Sequence, residues 1–276
     1  MTQPVVLITG CSSGIGRALA DAFKAADYQV WACARKPQDL AGLTAAGFVA
    51  VALDVNDAVA VQRAAERVQS EAGRLDVLIN NAGYGAMGPL LDGGAEGMRQ
   101  QFETNVFSLV ELTRACFPLL RASRGLVINI GSISSVLITP FAGAYCASKA
   151  AVHALSGALR LELAPFGIQV MEVQPGAIQS SFGSNASHSA EQLVNEQSPW
   201  WPVREGIRAR ANASQEKPTP AAEFAATLLA AVRQAERPAL LRIGNGSRSL
   251  PLINRLLPRK LMDRMLSKRF GLNTRL

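Results

Sequence analysis

The segment GAYCASKAAV (143–152) places Tyr145, one of three tyrosines in the chain, four residues ahead of Lys149. On a helix, positions i and i+4 share a face, so a phenol and an ammonium would lie side by side. Alanines at 144, 147, 150 and 151 give the stretch a helical composition. A neighbouring cation favours tyrosinate and would draw the phenol down from its ordinary value of about 10. Such a group could take a proton from an alcohol or return one to a carbonyl oxygen. A solvated Tyr and Lys on a surface helix would show the same spacing, so the elements around the pair must decide.

Those elements alternate. PVVLIT (4–9) is a short apolar run of the kind buried on both faces of a sheet, and GCSSGIG follows it. RALADAFKAADY reads as a helix with Leu19, Ala22, Phe23 and Ala26 on one face. Further strands are expected at 28–34, 48–55, in LDVLINNAG, at 125–134 and at 168–176, with helices near 57–73 and 95–122 and around Tyr145. Uninterrupted alternation of this kind implies one α/β domain, a doubly wound parallel sheet of Rossmann type. Right-handed crossovers would then bring GCSSGIG, NNAG, GSISS and QPG to one edge, where such sheets bind ligands.

TGCSSGIG (9–16) sits between a strand and a helix. There Gly10 permits a sharp turn, Gly14 lets a pyrophosphate approach, and Gly16 allows close helix–strand packing. Free N–H groups of the helix start, at Ser12, Ser13 and Ile15, would meet phosphate. The Thr-Gly-x-x-x-Gly-x-Gly spacing resembles that of the short-chain dehydrogenase/reductase family. NNAG (80–83), Asn105 in ETNVF, Ser132 thirteen residues before Tyr145, the Tyr145–Lys149 pair and Pro175-Gly176 follow in the family's order over about residues 4–180. The wording of the motifs is nearest to hydroxysteroid and retinol dehydrogenase-like members. The resemblance implies that Tyr145 is the acid/base and that Lys149 lowers its pKa and bonds the nicotinamide ribose. Ser132 would hold the substrate oxygen, and Asn105 would fix a water linking Lys149 to a proton relay. Asn81, Ala82 and Gly83 would line the cofactor, with Pro175, Gly176, Ile178 and Ser180 after the sixth strand; Ser180 stands where the family often has Thr.

An enzyme using NAD carries an acid at the end of the second strand to bond the ribose 2′-hydroxyl. That place is held by Ala34, with Arg35 next, which suits a 2′-phosphate and points to NADP(H). Asp54 and Val55, after the third strand, would meet the adenine. The implied activity is hydride transfer between NADP(H) and an alcohol or carbonyl, lipophilic in character and steroid-, retinoid- or long-aldehyde-like. The alternative is a catalytically silent NADPH-binding sensor of the same fold, although such proteins usually lose the Tyr or Lys that this chain retains.

Composition narrows the classes further. No apolar run reaches the length of a membrane span, no basic leader opens the chain, and four scattered cysteines with two histidines lack metal spacing. A reduced cytoplasmic protein without a metal, and a homo-oligomer, is expected. The net charge of +7 is uneven: residues 242–276 hold nine Arg and Lys against Asp263 alone, leaving the rest near neutral. That distribution argues against a nucleic-acid-binding core. The expected organisation is a catalytic domain over 1–241, containing an irregular substrate lid at about 177–219, and a basic amphipathic extension over 242–276. In the lid, Trp200 and Trp201 either close over a ligand or pack against the body. In the extension, Leu261, Met262, Met265 and Leu266 share a face that either docks on the protein or makes peripheral membrane contact.

Overall fold

Residues alternate between two cores along each strand, which is what a parallel sheet covered by helices on both faces requires. Val6 and Ile8 join Val30, Ala32, Leu19, Phe23, Phe224 and Leu228 on one side. Val5 and Leu7 join Trp31, Cys33, Val68, Leu112 and Leu120 on the other. The computed structural model describes residues 3–275, the side chains of 185, 189 and 192 aside.

The order begins β1 (Val5–Ile8), α1 (Gly14–Ala25), β2 (Gln29–Ala34), α2 (Pro37–Ala45), β3 (Val49–Ala52), α3 (Ala58–Glu71) and β4 (Val77–Asn80). α4 (Leu90–Phe102) passes through a π turn (Glu103–Phe107) into α5 (Ser108–Ser123), and β5 (Leu126–Ile130), α6 (Gly143–Leu163) and β6 (Gln169–Pro175) follow. The remainder is α7 (Phe182–Leu193), α8 (Arg204–Asn212), α9 (Ala221–Val232), β7 (Leu240–Ile243), α10 (Ser249–Leu256) and α11 (Arg259–Arg269). The strands lie in the order β3-β2-β1-β4-β5-β6-β7, all parallel. The order reverses between β1 and β4, and the crevice beyond that switch point is where doubly wound sheets bind ligands. The single-domain, Rossmann-type reading of the sequence holds.

Two particulars differ from the sequence expectation. A seventh strand is present, and the boundary placed at 241/242 falls inside it; Arg242 is a sheet residue whose Nε donates to Gln174 Oε1 at 3.0 Å. The segment expected to be irregular holds α7 and α8. The extension, for which a docked helix is one of the two expected readings, folds as α10 and α11 with Met262 and Phe270 buried. No described helix is long and apolar enough to cross a membrane.

Candidate active site

β1 is followed by Thr9, whose hydroxyl accepts from the backbone N–H groups of Asn81 and Ala82 at 2.9 and 2.8 Å. Asn81 Nδ2 returns a bond to the Thr9 carbonyl at 2.7 Å, so the turns after β1 and β4 are tied together. Gly10 and Gly14 have φ of 72° and 57°, the left-handed region that glycine tolerates. α1 starts beside this turn with no side-chain cap on Ser13 and no acid in its first turn, leaving its N–H groups free for an anion. The loop after β6 closes over the turn: a Cβ on Gly14 would lie 2.9 Å from the Ser180 Cβ. This cradle opens into a cleft of about 830 Å³ that runs from Ala34, Arg35, Asp54 and Val55 to Tyr145 and Lys149. Its length, uncapped helix start and glycine approach fit a nicotinamide dinucleotide. Every residue to which the sequence assigns a catalytic or cofactor-binding role lines this cleft except Asn105, with Asn80 of the NNAG segment also outside it.

The catalytic candidates are brought together by three elements. β5 ends in Ile130, and Gly131 leads to Ser132, whose Oγ accepts from Ser134 N at 3.0 Å. α6 presents Tyr145 and Lys149 one turn apart. The phenol faces the Ser132 side chain, which favours its ionised form, and Lys149 Nζ donates to the Ile130 carbonyl at 2.7 Å. Asn105 sits in the π turn, a widened helical turn of the kind found at functional sites. Its amide is held by Tyr84 N at 3.1 Å and by the Tyr84 carbonyl and Ser148 Oγ at 3.0 and 3.1 Å. Between Asn105 and Lys149 lies a polar cavity of about 10 Å³, also lined by Thr9, Asn80 and Ser108. That is close to the least volume that admits one water.

Below the pair, a line of hydrogen bonds leads to the molecular surface. His153, one turn along α6 from Lys149, meets the buried Glu172 at 2.5 Å. Glu172 and Ser135 Oγ both accept from Gln174 Nε2 at 2.9 Å, and Ser135 Oγ donates to the Ser132 carbonyl at 2.7 Å. The Ser132 loop therefore rests on a buried carboxylate.

The electrostatics correct the expectation that Lys149 pulls the phenol down. Burial pushes Tyr145 up to about 12, against a lowering by the Ser132 side chain and the Arg210 charge. Lys149 is not among the causes; its Nζ is turned to Ile130 and lies 6.0 Å from the Tyr145 ring centroid. Burial also pulls Lys149 itself down to about 8, opposed by the Glu172 charge. Without charged ligands, desolvation outweighs the pair's mutual effect.

The outer cleft is built from the late helices. Phe182 at the start of α7 meets the Tyr145 ring at 5.3 Å. Ile253, Met262, Met265, Leu266 and Phe270 form an apolar wall. Trp200 and Trp201 do not line the cleft; they pack into the cluster of Phe141, Val203 and Ile207, with Trp200 edge-on to Phe141. Sequence reasoning missed Asn245 and Gly246, which line the cleft after β7. Their signal was the Gly244-Asn245-Gly246 turn, packed so closely that a Cβ on Gly176 would lie 2.8 Å from Ser247 N. It also missed Arg210, a buried guanidinium on α8.

The family profile described as short chain dehydrogenase matches residues 4–191. A 3-ketodihydrosphingosine reductase of Bacteroides thetaiotaomicron is 40% identical over 190 residues, 68% of this chain and 69% of that protein. An NADPH-dependent 1-acyldihydroxyacetone phosphate reductase of Schizosaccharomyces pombe is 37% identical over 213 residues, 76% of this chain and 72% of that protein. The crystal structure of a short-chain dehydrogenase from Streptomyces avermitilis superposes with a TM-score of 0.81 at 31% identity, covering 99% of this chain and 100% of that one. The chain belongs to the short-chain dehydrogenase/reductase family of oxidoreductases.

Proposed function

We propose that the protein reduces a lipophilic aldehyde or ketone with NADPH, Tyr145 giving the proton and Ser132 holding the carbonyl oxygen. The observation that carries this reading is the placement of Tyr145 beside Ser132 at the junction of the dinucleotide cradle and the apolar wall. The bound nicotinamide would supply the hydride. At about 12 the phenol keeps its proton at neutral pH, which suits an acid facing a developing alkoxide. Lys149 and Asn105 flank a cavity of single-water size through which that proton is replaced. NADPH is favoured over NADH because Arg35 follows β2 and the buried Ala34 offers no carboxylate to repel a 2′-phosphate. The reductase of S. pombe, named as NADPH-dependent, supports the same choice.

The lipophilic substrate rests on the α10–α11 wall and on relatives named for 3-ketodihydrosphingosine and 1-acyldihydroxyacetone phosphate. Away from the cleft these helices expose Leu252, Leu256 and Leu261 among Arg248, Arg255, Lys260 and Arg264, a surface suited to peripheral contact with an anionic membrane. The exposed Leu91 and Phe107 on the α4–α5 side offer a face for a second subunit.

Loss of reduced-nicotinamide absorbance over long-chain aldehydes and ketones tests the activity. Tight NADPH binding with no turnover of any carbonyl would favour the silent sensor instead. Salt-sensitive co-sedimentation with anionic vesicles tests the surface, and light scattering tests the oligomer; a monomer that ignores vesicles would remove both contacts.

A further inference from the structure

Two of the three arginines of α8 (REGIRARAN) face opposite ways. Arg208 points outward, where Glu205 and Glu191 pair with it at 2.9 and 3.6 Å. Arg210 falls on the buried face with Ile207 and Ala211 and is only 8% exposed. Its Nε donates to Thr139 Oγ1 at 2.6 Å, which fixes the guanidinium in the cleft wall. Among the described residues no carboxylate pairs with it; its remaining neighbours are Tyr145, Cys146 and a second cation, Arg269. Glu216, a carboxylate that also lines the cleft, is paired with Arg269 at 2.8 Å. A buried cation without a counter-charge is unfavourable, and a well-packed apolar residue in its place is commonly neutral or better for stability. The arginine therefore calls for a use, and it stands in the substrate cleft beside the Tyr145 phenol.

We propose that Arg210 anchors an anionic group of the substrate, a carboxylate or a phosphate monoester, while the carbonyl lies at Tyr145 and the chain lies along the α10–α11 wall. The proposal rests on the reductase reading of this cleft and names its substrate class: an anionic, lipophilic ketone or aldehyde. Guanidinium geometry matches both oxyanions through paired N–H donors, and the bonds to Thr139 and Cys146 leave further donors of the five for them. Burial pulls the guanidinium down from its ordinary value, as expected of a cation short of counter-charge, but arginine remains charged at neutral pH. The uncompensated charge of Arg210 also disfavours an amino ketone. Selectivity thus comes from attraction of one substrate class and repulsion of another.

The test uses the full chain with NADPH. The probes are straight-chain oxo-carboxylates and oxoalkyl phosphates that differ in the spacer between ketone and anion, with the methyl esters and primary amines of the same chains. At the matching spacer the wild type should prefer an anion over its ester by on the order of 10²-fold in kcat/KM, with the amine poorest. The carboxylate and phosphate arms decide which oxyanion is used. Arg210→Met should bring the anion-to-ester ratio toward one, and Arg210→Lys should restore part of it. A purely structural arginine would depress anion and ester alike and leave their ratio as in the wild type, which overturns the proposal. So does a wild type that reduces ester, anion and amine equally, and that comparison decides alone if Arg210→Met does not fold. Calorimetric titration of the NADPH complex with a long-chain alkanoate and its amide separates the two readings. Arg210-dependent alkanoate binding without reduction of any ketone would sink the reductase and keep the anion site; reduction without anion preference would do the reverse.

Discussion

Gly16→Ala sets two opposing effects against each other at the dinucleotide cradle. Gly16 lies inside α1, so alanine there gains about 1 kcal/mol of helix propensity. Its new Cβ, however, would lie 2.5 Å from Asn81 Nδ2 and 2.8 Å from the Gly10 carbonyl carbon. Optimal carbon contacts are about 3.5 Å or more, so the Gly10 turn or the helix must retreat by roughly 1 Å. Overpacking of that kind costs about 1–3 kcal/mol and sometimes more, because the obstacle is backbone held by the Thr9–Asn81 bonds. The clash therefore offsets the gain or exceeds it by up to about 2 kcal/mol, and Tm should fall by up to about 4 °C. The displaced turn should also weaken NADPH binding by about tenfold or more, about 1.4 kcal/mol. Gly157→Ala in α6 is the matched control, since its Cβ would meet nothing within 4 Å. It should raise Tm by about 1–2 °C and leave NADPH affinity alone. Calorimetry and fluorescence titration read both quantities. If Gly16→Ala matches Gly157→Ala in Tm and affinity, the cradle is not packed as described.

Three further outcomes follow from the site. Lys149→Met should abolish most turnover yet keep or raise Tm at pH 7: the folded ammonium sits at about 8 against 10.5 unfolded, a penalty of up to roughly 3 kcal/mol that is present below pH 8 and fades as pH rises toward the unfolded value. A clear fall in Tm at pH 7 would contradict it. Glu172→Gln keeps the side-chain shape but removes the charge that holds the Lys149 proton, so the alkaline limb of the kcat profile should move to lower pH; an unmoved limb would show that Glu172 acts only through packing. Ala34→Asp with Arg35→Ser should lower the preference for NADPH over NADH in kcat/KM, and an unchanged ratio would remove Arg35 as the selector.

The inner half of the site is legible in the sequence because its chemistry is local. Gly10, Gly14 and Gly16 are read from a strand–turn–helix context, and Tyr145 and Lys149 from one helical turn. The outer half depends on contacts between distant segments. α7, FGSNASHSAEQL, is rich in Gly, Ser and Asn, which form helices poorly alone; it is held by burying Ala186 and Ala190 against α8 and the Phe141 cluster. β7 is four residues long and includes Arg242, so counting charge assigns it to the tail, whereas its guanidinium satisfies Gln174 inside the sheet. Arg210 carries no motif; only its burial beside Tyr145 sets it apart from Arg208, two residues away. The spacing of Tyr145 and Lys149 predicts proximity but not which effect dominates, and desolvation does.

The account turns on Tyr145 as the proton donor. Tyr145→Phe removes one hydroxyl from a buried ring that keeps its contact with Phe182, so the fold and the cradle should be little affected. Single-turnover reduction of the best carbonyl substrate by enzyme-bound NADPH should slow by roughly 10²- to 10⁴-fold. NADPH affinity should stay within a few-fold of wild type, and Tm should shift by only a few degrees for the loss of about 1 kcal/mol of hydrogen bonding. A hydride-transfer rate within a few-fold of wild type, with NADPH bound normally, would contradict the account.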